Sequence, residues 1–164
     1  MRLLEGRLEV EDLDAFVARL GEIGDRHGAT IQAFDARYVA GPRHLERAVE
    51  LADRAAQRGE NVARERAVEI LLYAAGRRQI DRALEMGVSA GENRVVVLVD
   101  GGDEAGATAE LEALSRFEPE PTLEVLDERR LCAFFEITDA ERAATDASLP
   151  ELVRERVALL EVEK

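Results

Sequence analysis

The sequence predicts a mixed α+β fold, an α/β class with a small central β-sheet surrounded by several helices. Three observations support this prediction. The 164 residues, of which 46% are hydrophobic, suffice for one domain with a core, and we expect a single domain over residues 1–164. Residues 94–100, RVVVLVD, form an almost wholly apolar β-branched run, which is typical of a central strand covered on both faces. Several other segments show helical spacing of apolar residues between capping and breaking residues.

The predicted sheet contains three strands, at residues 3–10, 31–39 and 94–100. In the first of them, Leu4, Leu8 and Val10 fall on one face because side chains alternate along a strand. Residues 122–125 could add an edge strand. The order of the strands does not follow from the sequence.

Capping residues, glycines and prolines indicate where the helices begin and end. Asp12 is a suitable cap for the first helix, which Gly24 or Gly28 would end. The next helix is expected from Pro42 to about residue 58. Further helices are predicted from a cap at Asn61 to Gly76, over residues 79–86, 104–117 and 127–135, and after caps at Thr138 and Ser148.

The chain is strongly acidic, and nearly all of its basic residues are arginine. Against 35 acidic residues there are 21 Arg and one Lys, Lys164, which gives a net charge of −13. This composition indicates a halophilic organism with a GC-rich genome. At molar salt the screening length is about 3 Å, so the charges of an acidic surface repel one another only weakly. We therefore attribute the charge to the environment and not to a basic partner. The N-terminal residues lack the apolar region of a signal peptide and no run is long enough to span a membrane, so a cytoplasmic location is expected.

No conventional catalytic or metal-binding motif is found in the sequence. The two histidines, His27 and His44, lack metal-ligand spacing, and the lone Cys132 is expected to be a buried, inert thiol. Dinucleotide-binding, Walker A and nucleophile-elbow patterns do not occur. The glycine-rich residues 100–106 are too acidic to hold phosphate. We accordingly predict no catalytic residue, no metal and no cofactor.

One segment of the chain is basic. Residues 54–82 contain seven Arg and four acidic residues, a local charge of +3. A basic segment within an acidic protein suggests a site for an anionic or hydrogen-bond-rich ligand. Its donors are expected to be Arg64, Arg77, Arg78 and Gln79, with Ile80 as an apolar wall. Arginine forks and a glutamine amide can address phosphate oxygens and base edges, and an isoleucine can pack against a base.

Asn61 is also expected to be one of the binding residues, and Asn61 and Gly76 would shape the turn. Three residues, Glu69, Gly76 and His44, are expected to support the site, with His44 predicted to be solvent-facing or capping near the start of its helix. Glu69 stands in an apolar helix face, where a carboxylate is costly unless it is paired, and Arg66, Arg77 or Arg78 could be its partner. A purely structural salt bridge that fixes the angle of the helix-turn-helix explains the same residues.

The order of the motifs resembles a known family. N-V-A-R, then E-I-L-L-Y-A-A-G-R-R-Q-I, then A-L and G-V are similar to the small PRPK-binding-protein (TPRKB-like) family, the tRNA-tail-binding subunit of the KEOPS complex. The resemblance runs almost end to end and includes the turn with His44, the strand RVVVLV, FFEIT and the closing LVRERVALLEVEK. Of these, E-I-L-x-x-x-x-G-x-R-Q-I is specific.

The resemblance implies a non-enzymatic role in an archaeon. KEOPS makes threonylcarbamoyladenosine in tRNAs that read codons beginning with A. The family member binds the single-stranded 3′ CCA end of tRNA and docks on the kinase/ATPase subunit, and it meets the other subunits indirectly. Neither DNA nor membrane is an expected partner. Two alternatives stay open: a small enzyme that uses Arg77, Arg78 and Glu69 on a phosphorylated metabolite, and a purely structural adaptor that never touches RNA.

Overall fold

A computed structural model describes residues 1–163, with the side chain of residue 163 excepted. Lys164, the last residue of the predicted domain, lies outside the described residues. The chain forms two compact units, one of Met1–Ala36 with Gly87–Glu124 and the other of Arg37–Met86 with the chain from Val125 onwards. The first unit contains a β-sheet and two helices, and the second is helical. The predicted mixed α/β class is thus confirmed.

The sheet of the first unit is antiparallel and has four strands. They are β1 (Arg2–Val10), β2 (Thr30–Asp35), β3 (Gly91–Asp100) and β4 (Phe117–Pro119), in the order β2-β3-β1-β4. Five consecutive residues of β3, from Val95 to Val99, are buried. Since neighbouring side chains point to opposite faces, β3 is buried on both, as the apolar run predicted.

Two strand predictions are wrong: one places the end of β2 too late, and the other places an edge strand at the wrong residues. Strand β2 stops at Asp35, because Ala36–Tyr38 form a 3₁₀ turn, whereas the prediction continued to Val39. Ala36, Tyr38 and Val39 are buried and Arg37 is exposed, so the apolar pattern of a strand persisted after the strand itself had ended. The additional edge strand is β4, at the opposite edge from β2, and not residues 122–125. In that segment the Thr122 hydroxyl donates to the Val95 carbonyl, 2.9 Å away.

Two helices cover one face of this sheet. Helix α1 (Leu13–His27) begins after Asp12, whose carboxylate accepts from the Ala15 N–H at 3.1 Å, and it ends at the left-handed Gly28. Helix α5 (Glu104–Glu112) is five residues shorter than predicted. The core of the first unit consists of buried residues from both helices and the sheet, including Leu20, Ile23, Ala107, Leu111, Val95, Val97 and Val99.

The second unit contains six helices among the described residues. They are α2 (Pro42–Gln57), α3 (Arg66–Ala75), α4 (Ile80–Ala83), α6 (Glu128–Phe134), α7 (Asp139–Ala143) and α8 (Leu149–Glu163). Helix α3 packs against α2 and α8 and is its buried centre, since every residue from Glu69 to Ala75 is buried. The predicted caps at Thr138 and Ser148 are confirmed, because each side chain accepts a backbone N–H from its own first turn. Asp127, which was not predicted as a cap, accepts the Arg130 N–H in the same way at the start of α6.

Cys132 is half-buried and its thiol lies 3.9 Å from the Arg142 guanidinium, so the prediction of a buried thiol is wrong.

In the part of the chain that the structure describes, no helix combines the length and apolarity needed to cross a membrane.

We expect the protein to be more stable in molar KCl than in dilute buffer. Of the net −13, −11 falls on residues 100–164, and raising the salt from about 0.1 M to about 1 M shortens the screening length from about 10 Å to about 3 Å. Thermal unfolding followed by circular dichroism over this range should give a rising melting temperature. Replacing the exposed Glu112, Glu124 and Glu155 with glutamine should reduce the salt dependence. A melting temperature that stays flat or falls with salt would reject the halophilic interpretation.

Candidate nucleic-acid interface

The predicted site residues lie at the two ends of α3. Asn61 and Arg64 precede the helix, and Gly76, Arg77, Arg78 and Gln79 follow it. A helix of 10 residues is about 15 Å long. One base therefore could not touch both Arg64 and Gln79, whereas a single strand of several nucleotides could reach both ends.

The segment before α3 is held by Glu69 and not by a cap at Asn61. Helix α3 begins at Arg66 after Glu65, so the predicted cap at Asn61 is wrong, and the Asn61 amide donates to the Ala63 carbonyl at 2.9 Å. The Glu69 carboxylate, only 2% exposed, accepts from the backbone N–H groups of Val62 at 3.1 Å and Ala63 at 3.0 Å. Sequence analysis missed this contact, because it joins a helix to the loop that precedes it.

A second unpredicted contact ties α3 to α2. Arg66 donates to Asp53 through two nitrogens, with both Nε–Oδ1 and Nη2–Oδ2 at 2.8 Å. A two-point ion pair of this kind fixes the orientation of the guanidinium as well as its position. It fixes the first turn of α3 against α2.

The turn after α3 is confirmed as predicted. Gly76 adopts the left-handed conformation at φ 62° and ψ 33°, and its N–H donates to the Tyr73 carbonyl at 3.1 Å. A β-carbon at this position would lie 3.2 Å from the Arg156 carbonyl oxygen. Both the backbone conformation and the close approach of α8 therefore favour glycine here.

Arg77 is directed into the protein. Its Nη2 donates to the Phe134 carbonyl, and its guanidinium lies 5.1 Å from the centre of the Phe134 ring. Its Nη1 is 3.6 Å from the Glu136 carboxylate. The Arg77 Nε is buried and has no hydrogen-bond partner among the described residues. Arg77 thus joins the turn to the end of α6 and is less accessible than the residues that follow it.

Arg78, Gln79 and Ile80 form the exposed part of the turn. Gln79 precedes α4 but makes no side-chain capping bond, so its amide is not occupied by the helix. Ile80 is 45% exposed and Leu84, one turn later, is 57% exposed, which makes a short apolar stripe. Because residues four apart lie on the same side of a helix, the spacing of Ile80 and Leu84 could have predicted that Leu84 extends this apolar stripe.

Helix α4 is a single turn followed by a 3₁₀ turn at Leu84–Met86, shorter than the predicted helix over 79–86.

His44 is buried, so the solvent-facing alternative is wrong, whereas the capping alternative agrees with the bond that its ring accepts from a backbone N–H just before α2. Its ring is 0% exposed and lies between two backbone groups. Nδ1 accepts from the Ala40 N–H at 3.0 Å, and Nε2 lies 2.7 Å from the Ala74 carbonyl, which fixes the proton on Nε2. Burial lowers the pKa of His44 to about 4, and the ring is neutral at physiological pH. It connects the start of α2 to the last turn of α3.

These observations describe a mixed α/β protein whose helical unit presents an arginine, a glutamine and an isoleucine on an anchored turn. No group of three or more His, Cys, Asp or Glu residues suited to a metal ion occurs in the described part of the chain. The family model "Kinase binding protein CGI-121" matches residues 10–161, and the chain belongs to this family, the small subunit of KEOPS. No curated protein matches the chain significantly.

Proposed function

We propose that the protein is a non-catalytic subunit of KEOPS that binds the 3′ CCA end of tRNA and the kinase/ATPase subunit. In this role it would support threonylcarbamoyladenosine modification of tRNA. The family is one of kinase-binding proteins, which supports the kinase partner. The observation that carries the RNA partner is the exposed sequence Arg78-Gln79-Ile80 on a turn fixed by Gly76.

The chemistry of the turn suits a single strand better than a duplex. Unstacked bases expose hydrogen-bonding edges and flat faces, which arginine, glutamine and isoleucine can contact together. Arg64, at the opposite end of α3, would reach a neighbouring nucleotide or its phosphate. The distance between the two ends of α3 supports a ligand of several nucleotides over a small phosphorylated metabolite.

The CCA end can be tested directly in molar KCl. Wild-type protein is titrated with tRNA transcripts that carry or lack the three terminal nucleotides. We expect removal of CCA to weaken binding at least about tenfold, since each stacked base contributes about 1–3 kcal/mol. An enzyme for small metabolites or a purely structural adaptor would bind both transcripts equally. Equal binding would therefore reject the proposal.

The kinase subunit is expected to bind a surface separate from the turn. Arg78→Ala should leave capture of the kinase/ATPase subunit unchanged in a pull-down while it weakens binding of tRNA. Arg77→Ala should behave in the same way, but it also removes the donor to Phe134, so circular dichroism must show that this variant is folded. Loss of kinase capture by a folded variant would contradict separate surfaces.

We also propose that residues 1–164 act as one functional domain, because the family match begins in the first unit and ends in the second. A tRNA partner and the acidic composition support a cytoplasmic location in a halophilic archaeon.

A further inference from the structure

Arg156, on α8, binds the backbone that follows α6. Its Nε donates to the Phe135 carbonyl at 3.0 Å, and its Nη2 donates to the Glu136 carbonyl at 3.2 Å. Its Nη1 also donates to the Glu141 carboxylate at 2.9 Å. Because a guanidinium holds its donors in one rigid plane, this arginine fixes two successive carbonyls and a carboxylate relative to one another.

The carbonyl just before these two binds the arginine of the turn. The Phe134 carbonyl accepts from Arg77 Nη2, and the Arg77 guanidinium lies 5.1 Å from the centre of the Phe134 ring. The carbonyls of residues 134–136 are therefore bound by two arginines. Arg77 comes from the turn after α3, and Arg156 comes from α8.

Glu136 has a backbone conformation that few residues adopt. Its φ is 55°, and it is the one residue other than glycine with a positive φ in the described part of the chain. Such a conformation costs free energy for an L-residue and persists where the surroundings impose it. The bond from Arg156 to the Glu136 carbonyl is one contact that imposes it. Without this bond residues 134–136 can relax, and the Phe134 carbonyl that holds Arg77 moves with them.

Loss of the Arg156 guanidinium should leave α8 itself in place. The helix is held by its buried apolar side chains, which are Leu152, Val153, Val157 and Leu160. The effect of the loss is therefore expected in the backbone that the guanidinium binds and not in the packing of the helix.

We propose that Arg156 is a positioning residue for the RNA-binding turn. It acts through residues 134–136 and Arg77, which fix the direction in which residues 78–80 are presented, and it does not contact RNA itself. The inference rests on the proposed function, because it concerns the same RNA site.

The test compares two substitutions of Arg156 with one control. Arg156→Gln removes both the charge and the planar donors, whereas Arg156→Lys keeps a charge for Glu141 but cannot bind two carbonyls in one plane. Arg154→Gln is the matched control, because Arg154 lies on the same helix and is also half-buried but takes no part in these contacts. Each protein is checked for folding by circular dichroism and titrated in molar KCl with tRNA that carries or lacks the CCA end.

We expect both Arg156 variants to bind the CCA transcript at least about fivefold more weakly than the wild type does, with no such loss for the transcript that lacks CCA. Arg154→Gln should bind both transcripts as the wild type does. If folded Arg156 variants bind the CCA transcript normally, or if Arg154→Gln loses as much affinity, Arg156 is not a positioning residue. If removal of CCA changes nothing in the wild type, the proposed function itself fails.

Double variants separate positioning from a general loss of stability. Arg156→Gln should cause little further loss of affinity when it is added to Arg77→Ala, because Arg156 acts through Arg77. Added to Arg64→Ala, at the opposite end of α3, it should multiply the loss by its own factor. A general loss of stability would multiply with both. Multiplication with Arg77→Ala would therefore overturn the assignment.

Discussion

Replacing Ile80 with glutamate is expected to weaken the binding of full-length tRNA at least about tenfold in molar KCl. At that salt concentration counterion release yields little free energy, so contacts with base edges, stacking and apolar packing must carry recognition. The substitution would place a charge against a base and near phosphates. Because Ile80 is 45% exposed, the fold should not change.

Two comparisons make this result interpretable. Val17 on α1 is 56% exposed, so Val17→Glu adds the same charge at a similar site outside the predicted RNA-binding residues and should leave tRNA affinity unchanged. Gln79→Ala should also weaken binding about tenfold, since each base contact contributes about 1–3 kcal/mol. Fluorescence titration with labelled tRNA measures all three. Normal binding by both Ile80→Glu and Gln79→Ala would show that the site lies elsewhere.

Replacing His44 with leucine is expected to lower the free energy of unfolding by about 2–4 kcal/mol. The buried ring accepts from Ala40 and donates to Ala74, and leucine would leave both backbone groups without these bonds. Urea unfolding at neutral pH and constant KCl gives the difference. A decrease below about 0.5 kcal/mol would show that the two hydrogen bonds contribute little.

His44 should also make stability depend on pH. Its pKa falls from 6.5 in the unfolded chain to about 4 in the folded protein. As pH falls below 6.5 the unfolded chain binds the proton first, so stability is lost between about pH 6.5 and 4 and is fully present above that window. The loss for this one group is up to about 3 kcal/mol. His44→Leu should flatten that part of the pH profile, and an unchanged profile would contradict the assignment.

The sequence predicted those parts of the fold that are decided locally. Asp12, Thr138 and Ser148 cap their own helices, so the bonds involved span three residues. The central strand was recognised because burial on both faces requires an unbroken apolar run. The end of β2 was predicted too late because Val39 is buried, as a strand residue would be, although it lies outside the strand.

The sequence predicted which residues lie at the turn after α3 but not the directions in which their side chains point. Gly76 was identified because a left-handed residue at a helix end is a local requirement. That Arg77 points inward while Arg78 is exposed depends on Phe134, which lies 57 residues away along the chain. The burial of His44 likewise depends on Ala74, 30 residues away. Such contacts have no periodic pattern in the sequence.

The Glu69 carboxylate has a consequence for the kinetics of any ligand that binds near Val62. By accepting two successive backbone N–H groups it settles the conformation of the loop before a ligand arrives. The entropy of ordering that loop is then lost during folding and not during association. Encounters need no slow rearrangement of this segment, and differences in affinity between ligands at this end of α3 should arise chiefly from how long each complex lasts.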